Sequence, residues 1–180
     1  MKTHLVFDFT INKENHTVLV KREFNANLSH TWDAWTKPEI LDQWWAPKPY
    51  QTITKSMDFR EGGTWLYAMK SPENEYHWCK NDYLQIEPLH RYTGLDAFCD
   101  EEGNTSNEMP RTKCTNTFTE NTNTNTTLVS IVAQYESLED LEKIIEQSRS
   151  IIVKRNYFNI KKFVMKFHQE EWRRLLILME

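Results

Sequence analysis

Between residues 52 and 135 the chain falls into six short segments in which apolar and polar residues alternate, and each break between them carries Gly, Pro, Asn or Asp. The segments are 52–59, 64–69, 75–86, 91–99, 113–120 and 126–135. Period-two alternation puts successive side chains on opposite faces of a strand, and connections this short join antiparallel neighbours. The expectation is an antiparallel meander. Residues 4–11 and 17–24 alternate in the same way around Asn12, Lys13, Glu14 and Asn15, which have turn chemistry, and so predict an opening hairpin.

Helical spacing interrupts the strands twice. Trp32, Trp35, Ile40, Leu41 and Trp44 recur at that spacing, with Ser29, just after Asn27, as the expected N-cap and Pro38 opening a second short helix. Pro47 and Pro49 end the pair. After Ser137, with Asp140 three residues on, Leu138, Leu141, Ile144 and Ile145 begin a helical pattern that runs more than 40 residues without Gly or Pro, and a break is expected between 147 and 159. The Asn/Thr-rich run 121–127 reads as a flexible hairpin loop. With 180 residues and 39% hydrophobic content, the chain is expected to be one α+β domain with a real core.

Several classes of function are disfavoured. No stretch approaches the roughly 20 apolar residues of a membrane span, and Met1 leads into alternation rather than a signal-peptide block, so a cytoplasmic protein without stable membrane insertion is expected. Residues 1–146 hold 14 Lys and Arg against 23 Asp and Glu, whereas 147–180 hold 8 against 3. An acidic body argues against nucleic acid as the partner. The basic tail fits either an amphipathic surface helix or a helix with a solvated charged face. Cys79, Cys99 and Cys114 are widely spaced, without a CxxC, and read as free thiols rather than metal ligands. Gly62-Gly63 lacks the Lys-Ser/Thr of a phosphate loop. No cofactor and no metal are expected.

The strands carry large rings at alternate positions. Trp65, Tyr67 and Met69 share one face, and Met57 and Phe59 lie on a neighbouring segment. Such a set fits an ordinary core or the lining of a cavity. The N–H of Trp and O–H of Tyr need partners when buried, which tilts the reading toward a pocket. The candidate ligand-binding residues are Trp44, Trp45, Met57, Phe59, Trp65, Tyr67, Met69, His77, Trp78, Tyr83, Asp96 and Phe98, with His77 and Asp96 as polar anchors. His77 and Asp96 would also make a proton-transfer pair, although no Ser or second His stands at a motif spacing and no catalytic residue is assigned. A bulge in 75–86 would exchange the inward and outward sets of that strand.

The stretch Thr31-Trp32-Asp33-Ala34-Trp35-Thr36-Lys37-Pro38-Glu39-Ile40-Leu41-Asp42-Gln43-Trp44-Trp45-Ala46-Pro47 resembles the opening of SRPBCC-superfamily proteins similar to the C-terminal domain of the activator of the 90-kDa heat-shock protein ATPase. Further matches are Met57-Asp58-Phe59-Arg60-Glu61-Gly62-Gly63-Thr64-Trp65, Tyr83-Leu84-Gln85-Ile86-Glu87-Pro88 and Thr117-Phe118-Thr119-Glu120, so the resemblance covers about residues 5–146. It implies a helix-grip (START-like) fold, in which a bent antiparallel sheet wraps a long C-terminal helix around a hydrophobic tunnel. Members usually carry a Met-Gly-x-x-x-Gly-like stretch early in that helix, where this chain has Gln147-Ser148-Arg149-Ser150.

The function expected is therefore binding of an apolar small molecule, lipid- or polyketide-like, in an internal cavity. The alternatives are a chaperone-interaction module and a cavity enzyme of the cyclase or hydrolase type. Relatives that pair through sheet or helix surfaces make a homodimer a further expectation of the resemblance.

Overall fold

The computed structural model describes residues 5–153, with side chains described as far as residue 146. The order is β1 (Phe7–Asn12), β2 (Thr17–Phe24), α1 (Leu28–Thr36), α2 (Pro38–Trp44), β3 (Gln51–Met57), β4 (Thr64–Lys70), β5 (Tyr76–Glu87), β6 (Arg91–Phe98), β7 (Thr112–Asn121), β8 (Thr126–Gln134) and α3 (Leu138–Val153). One antiparallel sheet holds all eight strands in the order β1-β2-β8-β7-β6-β5-β4-β3. The expected meander runs from β3 to β8, and β2 closes onto β8, with Phe24 opposite Thr127 and Val20 opposite Ile131. The expected helix-grip α+β class is the class found.

Local chemistry fixes the helices. Asn27, not Ser29, is the N-cap of α1: its side-chain oxygen accepts the His30 N–H at 2.9 Å, and Ser29 lies inside the helix. Lys37 ends α1 in extended conformation, and Pro38 opens α2, where its missing N–H costs nothing. Asp42 on α2 accepts both the backbone N–H and the hydroxyl of Thr54, at 3.1 and 2.7 Å, which ties this helix to β3. Ser137 caps α3, its hydroxyl accepting the Asp140 N–H at 3.1 Å. The expected break after residue 147 falls largely outside the described residues. The Asn/Thr-rich run is less of a loop than its composition implies, because Asn121 pairs with Thr126 and only four residues turn between β7 and β8.

Bulges kink two strands, one between Thr54 and Ser56 and one between Tyr83 and Gln85. Against the concave face the two short helices press Trp32, Trp35 and Trp44, which meet Phe24, Tyr92 and Phe118. Trp35 contacts Phe24, Trp44 and Phe118 with ring centroids 5.4, 4.8 and 5.7 Å apart. Each fully buried aromatic of this kind contributes on the order of 1.5–3 kcal/mol by removal from water. The buried Trp44 N–H donates to the Ala34 carbonyl at 3.0 Å, so its polar edge is satisfied within the helix pair. No helix among the described residues is long and apolar enough to cross a membrane.

Candidate functional site

Register decides which side chains share the concave face. Across β4, β5 and β6, Trp65 pairs with Asn81 and Asn81 with Asp96; Tyr67 pairs with Cys79 and Cys79 with Phe98. On β7, Thr112 lies opposite Asp96 and Cys114 opposite Gly94. Where these rows meet α3 a half-open cavity of about 150 Å³ remains, lined by Tyr67, Met69, Cys79, Asp96, Phe98, Pro110, Thr112 and Ile144 among others. Rings, sulfurs and aliphatic groups line it together with three polar residues, Lys80, Asp96 and Thr112.

The Asp96 carboxyl keeps some surface in the cavity while protein encloses it elsewhere, and burial pushes its pKa above the ordinary carboxylate value. The Asn81 amide donates to Asp96 Oδ1 at 2.5 Å, and the Cys114 thiol also hydrogen-bonds the carboxyl; both oppose the shift without cancelling it. The charge of Arg111 opposes the shift as well, although its hydrogen bonds and those of Lys80 go elsewhere. Arg111 donates to Asp82 and to the Leu95 carbonyl, and Lys80 lies 3.1 Å from Asp82. Burial works against ionisation of Asp82 too, but bonds from Thr64, Lys80 and Arg111 outweigh it and hold its pKa low.

Among the described residues Asn81 Oδ1 is buried without a hydrogen-bond partner, whereas the Tyr67 hydroxyl and the thiols have defined surroundings. Tyr67 accepts the Trp45 indole N–H at 3.1 Å and hydrogen-bonds the Cys79 sulfur. Burial pushes the Cys79 thiol up to about 12 and the Cys114 thiol upward as well, so neither supplies a thiolate nucleophile near neutrality. The buried phenols of Tyr67, Tyr83 and Tyr92 stay protonated for the same reason.

The structure sorts the twelve candidates into four groups. Tyr67, Met69, Asp96 and Phe98 line the cavity. Trp44, Trp65 and Tyr83 are buried in the core, with Trp45, Met57 and Phe59 packed against it, and Phe59 reaches Trp32, Tyr83 and Tyr92. His77 has the inward parity of β5 but is exposed beyond the cavity, beside Tyr50 at 5.9 Å. Trp78 faces the other way. It stacks on Tyr76 on the convex face, with Lys55 over its ring at 5.4 Å, because the β5 bulge lies after Tyr83 and leaves the alternation from 77 to 83 intact.

His77 and Asp96 form no pair: Asn81 is opposite Asp96, and four residues of strand, about 13 Å, separate it from His77. Sequence reasoning missed Asn81, Thr112, Cys114 and Ile144. The period-two row Thr112, Cys114, Asn116, Phe118 was the available signal for β7, and Ile144 stood in the apolar stripe of α3.

A wider hollow of about 520 Å³ lies between α2 and β3, bordered by Asp42, Gln43, Lys48, Pro49 and Tyr50 and by one of the candidates, Trp44. It follows the loop containing the cis Lys48–Pro49 bond and is lined in large part by polar side chains. The smaller cavity, set into the concave sheet face with a half-buried carboxyl, is the better candidate for an apolar ligand. Among the described residues no group of three His, Cys, Asp or Glu could hold a metal ion.

Solved structures share this architecture. A protein of Mycobacterium smegmatis, Ms6760, superposes with a TM-score of 0.78 at 21% identity, covering 98% of each chain. An Arthrobacter aurescens protein gives 0.79 at 21% identity over 96% of this chain and 90% of its own, and a Staphylococcus epidermidis protein gives 0.74 at 22% over 94% and 93%. At these identities the likeness establishes the fold. No curated protein matches the chain. A family model described as activator of Hsp90 ATPase homolog 1-like protein matches residues 25–155. That span holds α1, α2, strands β3 to β8 and α3, and the chain belongs to the family of activator of Hsp90 ATPase homolog 1-like proteins.

Proposed function

We propose that the protein binds an apolar small molecule in the cavity between β4–β7 and α3. The observation that carries this reading is the half-open, ring-lined cavity itself, which Met69, Phe98, Pro110 and Ile144 line rather than fill. A volume of about 150 Å³ suits one ring, or the ring-sized end of a longer lipid- or polyketide-like molecule; whole drug-sized ligands occupy about 300–1,000 Å³. The reading involves no chemistry: the thiols are held protonated and His77 stands apart from Asp96. Native mass spectrometry of protein purified from its own host, followed by extraction, tests it. One apolar molecule per chain is expected, displaced when Ile144→Trp fills the cavity; a bound molecule that survives this substitution would place binding elsewhere.

A second reading is a protein-interaction module of the chaperone-activator kind. It draws on the family's description and on the convex face, where Tyr76, 47% exposed, stacks on Trp78 between Lys55 and Lys70. Co-purification of a chaperone that is lost on Trp78→Glu but kept on Ile144→Trp would favour it.

A further inference from the structure

The side chains bonded to the Asp96 carboxyl donate to it. Asn81 on β5 gives its amide N–H to Oδ1 at 2.5 Å, and Cys114 on β7 gives its thiol. Arg111 acts on the same carboxyl by charge, ahead of the opposing Asp82, while its own N–H groups and the Lys80 ammonium are directed to Asp82. An ionised carboxyl has about four lone-pair positions, and these two donors leave some of them open. The carboxyl lines the cavity, so the open positions are available to a ligand. A protonated carboxyl would have the same character. Asn81 Oδ1, on the amide that already meets Asp96, is buried without a partner, and with the amide turned over it would take the O–H. The other polar groups of the cavity are engaged: the Tyr67 hydroxyl with Trp45 and Cys79, the Thr112 hydroxyl with Tyr135, and Lys80 with Asp82.

We propose that the cavity selects a neutral, ring-sized ligand bearing a hydroxyl, an alcohol or a phenol, whose O–H donates to the Asp96 carboxyl. This rests on the cavity being the binding site and adds the polar group the ligand must carry. A ketone or ester of similar shape sets lone pairs against lone pairs and leaves its own acceptor desolvated and unpaired. An anionic head, such as a fatty-acid carboxylate, meets a like charge. A plain hydrocarbon fills the space but forgoes the hydrogen bond.

Three probes of similar size separate these cases: ethylbenzene, benzyl alcohol and acetophenone, titrated into the full chain at neutral pH by calorimetry. Benzyl alcohol and acetophenone both lose a hydrated polar group on entering the cavity, so their ratio isolates the donor. Benzyl alcohol is expected to bind about fivefold more tightly than acetophenone, the gain of one hydrogen bond. Asp96→Leu should erase that preference while still binding ethylbenzene. Equal or tighter binding of acetophenone by the wild-type chain, or a preference that survives Asp96→Leu, overturns the inference and leaves the cavity reading standing. Failure of all three to bind overturns both. The wild-type comparison needs no variant to fold.

Discussion

The side-chain amide of Asn81 occupies the space above Gly94: a Cβ on residue 94 would lie 1.9 Å from Asn81 Oδ1 and 2.7 Å from its Cγ. The absent side chain on β6 is what lets the Asn81 amide reach Asp96 across the same strand pair. Gly94→Ala should therefore destabilise the fold by about 1–3 kcal/mol, the usual cost of forcing an extra group into a packed interior. Chemical denaturation checks this, and an unchanged midpoint would mean that Asn81 has room to move aside.

Trp44 and Trp78 were one class of candidate by sequence and are two classes by position. Trp44 is 4% exposed, wedged against Trp35 and Trp45, whereas Trp78 lies on the convex face under Lys55. Trp44→Ala should cost about 3–5 kcal/mol and Trp78→Ala less than about 1.5. Paired thermal melts would reveal a comparable loss in both if the β5 alternation were otherwise.

Burial raises the folded-state pKa of Asp96 above its unfolded value, near 3.9. The folded chain then holds a proton that the unfolded chain releases, so this stabilising contribution is complete below the unfolded pKa and is lost as pH rises through the folded one. Asp96→Asn carries no such proton. Stability of the wild type relative to Asp96→Asn should fall as pH rises from about 4 and level off above the folded pKa. Denaturation of both proteins across a pH series gives the difference; a slope of the opposite sign would mean that the carboxylate is the preferred folded form.

The Asn27 cap offers a local test. Its oxygen satisfies the His30 N–H at the start of α1, which carries Trp32 and Trp35 into the core. Asn27→Ala should cost about 1 kcal/mol, and Ser29→Ala well under half of that, in equilibrium unfolding.

The strand pattern was legible because each break carried turn chemistry and period two held outside the bulges of β3 and β5; β2 was predicted and found at residues 17–24, and β4 differs by one residue at its end. The order of α1 and α2 was legible for a similar reason, Pro38 sitting where only a first helical turn tolerates it. The site was less so. Periodicity assigns a face but cannot say whether a ring on that face meets another ring or empty space. Trp65 and Tyr67, two residues apart on β4, stack on each other at 4.0 Å, yet only Tyr67 reaches the cavity. The cap shifted by two residues because Asn27 and Ser29 are both good cap residues, and only the backbone at Asn27 is extended. Asp96 was singled out from the sequence and lines the cavity, but its partners, Asn81 and Cys114, came together only through the registry of three strands.

The most direct test of the cavity account is an NMR titration of the full chain with ethylbenzene, following backbone amide shifts. The account predicts saturable shifts confined to Tyr67, Cys79, Phe98, Thr112 and Ile144, with the hollow around Lys48 to Gln51 unmoved. Shifts spread over the convex face near Tyr76 and Trp78, or no saturable shift at all, would contradict it.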